Sequence, residues 1–172
     1  FDALNELRLK RFQSFLQRSS PMIKVLMVCH GNICRSPMAE FLLKDMVAKR
    51  GIASQFDIAS AATSREEIGN PVHHGTRKKL AQFGISVAGK TARQMTRRDY
   101  ENYDYIIAMD RNNLRNIDRI IGSDEYNKVS LLLDFAGRNG QSIADPWYTG
   151  DFDITYDDIK QGLDGFLEYL GY

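Results

Sequence analysis

The chain of 172 residues is poor in the residues that announce special architectures. It has two cysteines, Cys29 and Cys34, too few for a disulfide scaffold at this length. No cysteine pair stands at zinc spacing with histidines, and the neighbours His73 and His74 cannot face one metal from a helix. No metal and no other cofactor is therefore expected. An excess of one charge is missing as well. The net charge is +1, so no global field directs the protein to nucleic acid or to a membrane, and attraction for an anion has to be local. The apolar runs, such as Ile23–Cys29, are far shorter than the roughly 20 residues of a membrane span. A charged-then-apolar signal segment, internal repeats and low-complexity stretches are not seen either. What is present is 43% hydrophobic and 26% charged residues, the profile of one soluble globular domain, with a reducing cytoplasm as its expected location.

Residues 1–21 stand apart. Phe1, Leu4, Leu7, Phe12, Phe15 and Leu16 recur near helical spacing with Arg8, Lys10, Arg11 and Arg18 between them. They read as an N-terminal extension, either foreign to the domain or an amphipathic helix docked on it or on a membrane surface. Ser19-Ser20-Pro21 marks the boundary, and residues 22–172 form the domain proper.

From Met22 onward strands and helices alternate. Apolar, β-branched runs predict strands over 23–28, 56–61, 103–109 and 129–133. Helices are predicted over 36–50, 71–83, 110–121 and 154–170. That alternation is the pattern of an α/β domain with a parallel sheet covered by helices on both faces.

The chemistry sits at the end of the first strand, in Cys29-His30-Gly31-Asn32-Ile33-Cys34-Arg35-Ser36-Pro37. Strand, tight loop and helix N-terminus make an anion site, because backbone N–H groups curl around one phosphate and the helix dipole adds positive potential. Gly31 and Asn32 are residue types that accept a positive φ, which the curl requires. A helix N-terminus and a nearby cation stabilise a thiolate, which makes Cys29 the candidate nucleophile. Arg35 is that cation, and its planar fork matches two phosphate oxygens. Five residues between Cys29 and Arg35 let the loop close so that both meet one phosphate. Ser36 can donate its hydroxyl to the thiolate. Attack of sulfur on phosphorus gives a cysteinyl-phosphate, which water then hydrolyses. Asp145, stiffened by Pro146, is the candidate general acid, with Trp147 and Tyr148 as aromatic walls for a flat substrate group.

These residues give the chain a resemblance to the low-molecular-weight protein tyrosine phosphatases. The likeness spans Met22 to the C-terminus and rests on the 29–36 loop with Ser36-Pro37, Ser60-Ala61-Ala62-Thr63-Ser64, Ile68-Gly69-Asn70-Pro71, Ala92-Arg93-Gln94, residues 105–110 and Asp145-Pro146. It implies a four-stranded parallel sheet with helices on both sides and the phosphate loop after the first strand. It implies phosphotyrosine-containing proteins and small aryl phosphates as partners, with Cys29, Arg35 and Asp145 catalytic. His30, Gly31, Asn32, Ile33, Cys34, Ser36, Trp147 and Tyr148 would bind substrate. Asn32, Ser36 and Ser60 would support the loop, through a contact of Asn32 with Ser60. Two departures stand out. Glu66, between Arg65 and Glu67, occupies the position where the family often has an aromatic wall. Phe83 stands where some relatives have a histidine that supports the loop asparagine.

Plainer readings compete. Cys34 is either a buried apolar thiol or a resolving partner that forms a reversible disulfide with Cys29. Asp145 before proline is also a common turn residue. Trp147 fits a core as well as a rim, Tyr148 is either a modification site or an ordinary loop residue, and His30, His73 and His74 read as surface residues. Arg97, Arg98 and Asp99 read as a solvated helix start. An arsenate reductase on the same scaffold would need further cysteines for its thiol relay. A protein arginine phosphatase would favour threonine where Ile33 stands. A non-catalytic phosphate-binding module would lack the nucleophile or the acid.

Overall fold

The structure, a computed structural model, describes residues 2–16 and 22–172, with only the backbone described for residues 2 and 12–16. Phe1, the side chains of Phe12, Phe15 and Leu16, and the Ser19-Ser20-Pro21 boundary lie outside the described residues.

Four strands, β1 (Ile23–Cys29), β2 (Phe56–Ala62), β3 (Tyr105–Ala108) and β4 (Val129–Leu131), form one parallel sheet in the order β2-β1-β3-β4. β1 pairs with β2 from Ile23↔Phe56 to Cys29↔Ala62 and with β3 from Val25↔Tyr105 to Val28↔Ala108. It is central and buried on both faces from Val25 to Cys29, which explains its unbroken apolar run. The two-residue period of the strand sends alternate side chains to opposite cores. Val25, Met27 and Cys29 join one cluster with Leu42, Leu43, Leu80, Leu163 and Phe166. Leu26 and Val28 join the other with Tyr100, Ile117 and Ile121. The first cluster lies under α2 (Arg35–Lys49), α3 (His74–Ala81) and α7 (Phe152–Tyr169), the second under α4 (Arg97–Asn102) and α5 (Arg111–Ile121). Burying one such aliphatic side chain stabilises the fold by roughly 1.5–3 kcal/mol, so the two-sided burial of β1 fixes where its end points.

Several boundaries differ from the sequence pattern. β4 ends at Leu131, and Leu132–Ala136 is a 3₁₀ turn. Leu132 and Leu133 are both fully buried, which a strand with alternating faces does not allow toward one core. α7 approaches that turn closely through glycines: a Cβ at Gly165 would lie 2.1 Å from the Phe135 carbonyl oxygen. α3 starts at His74 and not at residue 71, because Pro71 bridges to Thr91 and the His73 ring caps the helix by accepting from the Gly75 N–H. The start of α4 is not fully solvated. Asp99 is buried, accepts two bonds of 3.0 Å from the Arg93 guanidinium and closes a capping box with Thr96.

Residues Asp2–Leu16 form helix α1. Among its described side chains, Leu4, Leu7 and Arg11 line a cavity with Ile23, Tyr105 and Leu170 of the domain. The Arg11 guanidinium donates to Tyr169 Oη at 2.7 Å and to the Asn127 carbonyl, and stacks 4.9 Å from the centre of the Tyr105 ring. Leu4 and Leu9 stay exposed, at 65% and 57%. This contact lies at the amino-terminal end of β3, away from the phosphate loop. Among the described residues no helix is long and apolar enough to cross a membrane.

Candidate active site

β1 delivers Cys29 to the carboxyl edge of the sheet, where ligands bind in open α/β folds. The loop to α2 turns on Asn32, whose φ of 61° lies in the left-handed region. Gly31 does not share that conformation. Its role is spatial, because a Cβ there would meet Glu67 Cγ at 3.3 Å. Asn32 is held by its side chain. Its Nδ2 donates to Ser36 Oγ at 2.8 Å and to Ser60 Oγ at 2.9 Å, while its Oδ1 accepts the Arg93 N–H at 3.2 Å. Neighbouring elements clamp the rest of the loop. The Cys34 carbonyl accepts from Thr76 Oγ1 at 3.0 Å, the Ile33 carbonyl from the His73 N–H at 2.8 Å, and the His30 carbonyl from Ser64 Oγ at 2.9 Å.

The Cys29 sulfur lies 3.0 Å from Ser36 Oγ and 3.3 Å from the Asn32 N–H, which donates to it. Cys34 occupies the N-cap of α2 without a side-chain capping bond. The first-turn N–H groups of Arg35 and Ser36 have no intrahelical acceptor and carry the positive end of the helix dipole. Cys34 is buried, and burial pushes its thiol up to about 12, with Cys29 and Asp145 adding in the same direction. Both cysteines are free.

Arg35 is almost fully enclosed. Nη1 donates to Asp110 Oδ2 at 2.7 Å and to the Ile143 carbonyl at 2.9 Å, and Nη2 donates to Asp145 Oδ2 at 3.3 Å. Burial opposes its charge, but Cys29, Asp145 and Asp110 outweigh burial and hold the guanidinium above its ordinary value. The late segment carrying Asp145 is brought here by a backbone bond, Ile143 N–H to the Met109 carbonyl at 2.8 Å, just past β3. Asp145 caps a short helix, α6 (Pro146–Thr149), accepting the Trp147 N–H at 3.0 Å on the oxygen that does not face Arg35.

These residues surround a cavity of about 120 Å³. Cys29, Gly31, Ile33, Cys34 and Arg35 form its floor and near wall, and Asp145, Trp147, Tyr148, His30, Glu66 and Glu67 form its mouth. Trp147 and Tyr148 are both exposed, so Trp147 is a rim and not a core residue. Glu66 does stand at the mouth, where its Oε2 lies 3.0 Å from His30 Nε2. His73 and His74 stack on each other beside the rim, with His73 edge-on to Trp147 at 5.6 Å. No group of three or more His, Cys, Asp or Glu among the described residues could hold a metal ion.

The profile of the family described as low molecular weight phosphotyrosine protein phosphatase matches residues 24–171. The chain belongs to this family. It is an enzyme of the cysteine-dependent protein tyrosine phosphatase class. The low molecular weight protein-tyrosine-phosphatase YfkJ of Bacillus subtilis is 41% identical over 147 residues, 85% of this chain and 94% of that one. The crystal structure of YfkJ superposes with a TM-score of 0.84 at 39% identity, covering 90% of this chain and 98% of that one. A Drosophila arginine phosphatase structure superposes with a TM-score of 0.80 at 30% identity, covering 87% and 99%.

Sequence reading missed three site residues. Asp110 orients Arg35, and its signal was its place immediately after β3, at the carboxyl edge beside Cys29. Glu40 and Lys90 lie behind Ser60. Glu40 on α2 looked like any helix-surface carboxylate, and Lys90 lies in a loop with no pattern of its own. The Asn32 side chain is bonded by Ser36, Ser60 and Arg93, and Phe83 takes no part. Phe83 stacks on Tyr156 at 4.7 Å.

Proposed function

We propose that the protein hydrolyses phosphotyrosine in proteins, and small aryl phosphates, through a cysteinyl-phosphate on Cys29. The observation that carries the reading is the convergence of the Cys29 sulfur, the Arg35 guanidinium and the Asp145 carboxylate on one small cavity. Arg35 and the loop N–H groups take the three non-bridging phosphate oxygens, and α2 contributes its dipole. The sulfur attacks phosphorus. An S–P bond forms, the P–O bond to the aryl group breaks, and Asp145 gives its proton to the departing oxygen. A phosphate held by Arg35 competes with Asp145 Oδ2 for Nη2, which frees that oxygen to carry the proton. In the second step water attacks phosphorus, Asp145 takes the water proton, and the S–P electron pair returns to sulfur as thiolate. Ser36 donates its hydroxyl to that sulfur in both steps.

Ile33 at the cavity wall and the exposed rings of Trp147 and Tyr148 supply apolar surface for an aryl group. One observation favours a second reading, phosphoarginine. Glu66 and Glu67 at the mouth suit a cationic substrate, as does the likeness to an arginine phosphatase. Ile33 weighs against it, and we rank it second. An arsenate-reducing relay is weaker still, since the only other thiol is buried and held protonated. The test is hydrolysis of p-nitrophenyl phosphate, phosphotyrosine peptide and phosphoarginine in excess chelator, for the wild type and Cys29→Ser. The reading expects aryl phosphate turnover without metal and none in the variant. Turnover retained in Cys29→Ser, or strict dependence on a divalent cation, would overturn it.

A further inference from the structure

Half-buried His73 joins the phosphate loop to the aromatic rim. Its backbone N–H donates to the Ile33 carbonyl at 2.8 Å, which ties it to the loop. Its Nδ1 accepts the Gly75 N–H at 3.0 Å and caps α3. Its ring stacks on His74 at 4.2 Å and on Phe152 at 5.4 Å, and stands edge to face with Trp147 at 5.6 Å. Phe152 in turn lies against Gly75, where a Cβ would fall 2.2 Å from the Phe152 Cζ. The seat of the His73 ring is thus shaped by α7 as well as by α3.

The cap dictates the charge of the seated ring. A backbone N–H can only donate, so Nδ1 must hold a lone pair and the ring hydrogen sits on Nε2. An added proton would go to Nδ1 and set donor against donor across 3.0 Å. The surroundings act in the same direction. Burial holds the His73 ring below its ordinary 6.5, and His74 and Arg77 of α3 add to this, while Asp145 and Glu67 across the mouth oppose it. From α7 comes the uncharged Phe152 ring; Asp153 is paired with Lys79 at 2.8 Å, and Asp151 accepts the Ile154 N–H. A ring out of its seat takes a proton near 6.5, and the seated ring resists. Seating is therefore fully favoured above about 6.5 and weakens as pH falls below it.

We infer that His73 is a positioning residue for the Trp147 wall and acts only while its ring is neutral; its effect on turnover rests on the phosphatase reading of the same site. Seated, the imidazole packs edge to face with the Trp147 indole and holds it at the mouth of the cavity. Protonated, the ring gives up the Gly75 N–H and leaves its seat, and the exposed indole loses that support. The bond from the His73 N–H to Ile33 is a backbone bond and does not depend on the charge of the ring. The phosphate loop therefore stays in place, and the loss falls on binding of the aryl group. Acid raises KM through this contact and spares kcat.

Trp147 is the single tryptophan of the chain, so intrinsic emission reports on this ring. The experiment titrates that emission for the wild type, His73→Asn and His73→Phe from about pH 8 to about pH 5, and measures kcat and KM for a phosphotyrosine peptide free of tryptophan at both ends. Asn caps a helix without titrating, and Phe supplies the ring without the proton. The wild type should show an emission transition with its midpoint below about 6.5, and neither variant should show one. At the alkaline end KM of His73→Asn should exceed that of the wild type about threefold, the scale of one edge-to-face contact, with kcat within about twofold. In acid the two KM values should converge, whereas His73→Phe should keep its advantage over His73→Asn at both ends. Comparison at equal pH cancels the ionisation of the substrate. A midpoint at or above about 6.5, a transition that survives in either variant, a ratio of KM between His73→Asn and wild type that is the same at both ends, or no advantage of His73→Phe would overturn the inference. A wild type with no turnover would instead bring down the phosphatase reading, and the emission titration would still decide the contact of His73 with Trp147.

Discussion

The floor and the mouth of the cavity are built on opposite principles. At the floor Cys29, Asn32, Arg35 and Ser36 are all buried, and each side chain has a named partner within hydrogen-bond reach. At the mouth Trp147 is 57% exposed and Tyr148 84%, and the Glu66–His30 contact is open to solvent. A buried, fully partnered group is expensive to move, whereas an exposed side chain is screened and free to change rotamer. In the proposed reaction the chemical step falls to the partnered floor and the choice of substrate to the open mouth.

The comparison can be broken by substitutions in order of depth. Arg35→Lys should have the largest effect. A point charge cannot replace a fork that bonds Asp110, the Ile143 carbonyl and Asp145 at once, and removing such preorganised donors typically costs about 10²–10³ in kcat. Steady-state kinetics on p-nitrophenyl phosphate will read it, and a loss under about tenfold would show that the floor is less rigid than described. Asp145→Asn comes next. It should slow phosphate esters of poor leaving groups by roughly 10²–10⁴ and those of good leaving groups far less, because a good leaving group needs no proton. Equal losses across a leaving-group series would make Asp145 structural.

The smallest effect is expected at the mouth. Glu66→Tyr would cover a ring face that the wild type leaves open. Roughly 1 kcal/mol of added burial corresponds to about fivefold in KM for phosphotyrosine peptides, with kcat little changed. If the wild type instead prefers peptides with basic residues beside the phosphotyrosine, and the substitution erases that preference, Glu66 reads charge and not shape. If neither KM nor preference moves, Glu66 takes no part in the mouth.

The same division governs what could be read from the sequence. The strand, the Cys29–Arg35 spacing and the Asp145-Pro146 pair are local patterns with local causes, and the parallel sheet follows from alternation along the chain. Asp110 at the tip of β3 and Glu40 facing Ser60 depend on which strand lies beside which, and periodicity carries no such information. Gly31 and Asn32 are both residue types that accept a positive φ, and the turn uses that freedom at Asn32 alone, which residue type does not reveal. The 3₁₀ turn after β4 and the short helix at Pro146 escaped because apolar runs and Asp-Pro pairs fit several local structures equally well. For α1, spacing suggested an apolar docking face; among its described side chains Arg11 bonds Tyr169 and the Asn127 carbonyl and stacks on Tyr105, and Leu4 and Leu7 line a cavity with Ile23, Tyr105 and Leu170.

The central claim is that phosphate passes through the Cys29 sulfur. Rapid acid quenching of Asp145→Asn during turnover of p-nitrophenyl phosphate, followed by peptide mass spectrometry, tests it directly, because that variant lacks the base for the second step and should accumulate the intermediate. The account predicts one phosphoryl group on the peptide carrying Cys29, located on that residue and absent when Cys29→Ser is added. Phosphate on any other side chain, or turnover with no phosphorylated peptide at any quench time, would contradict it.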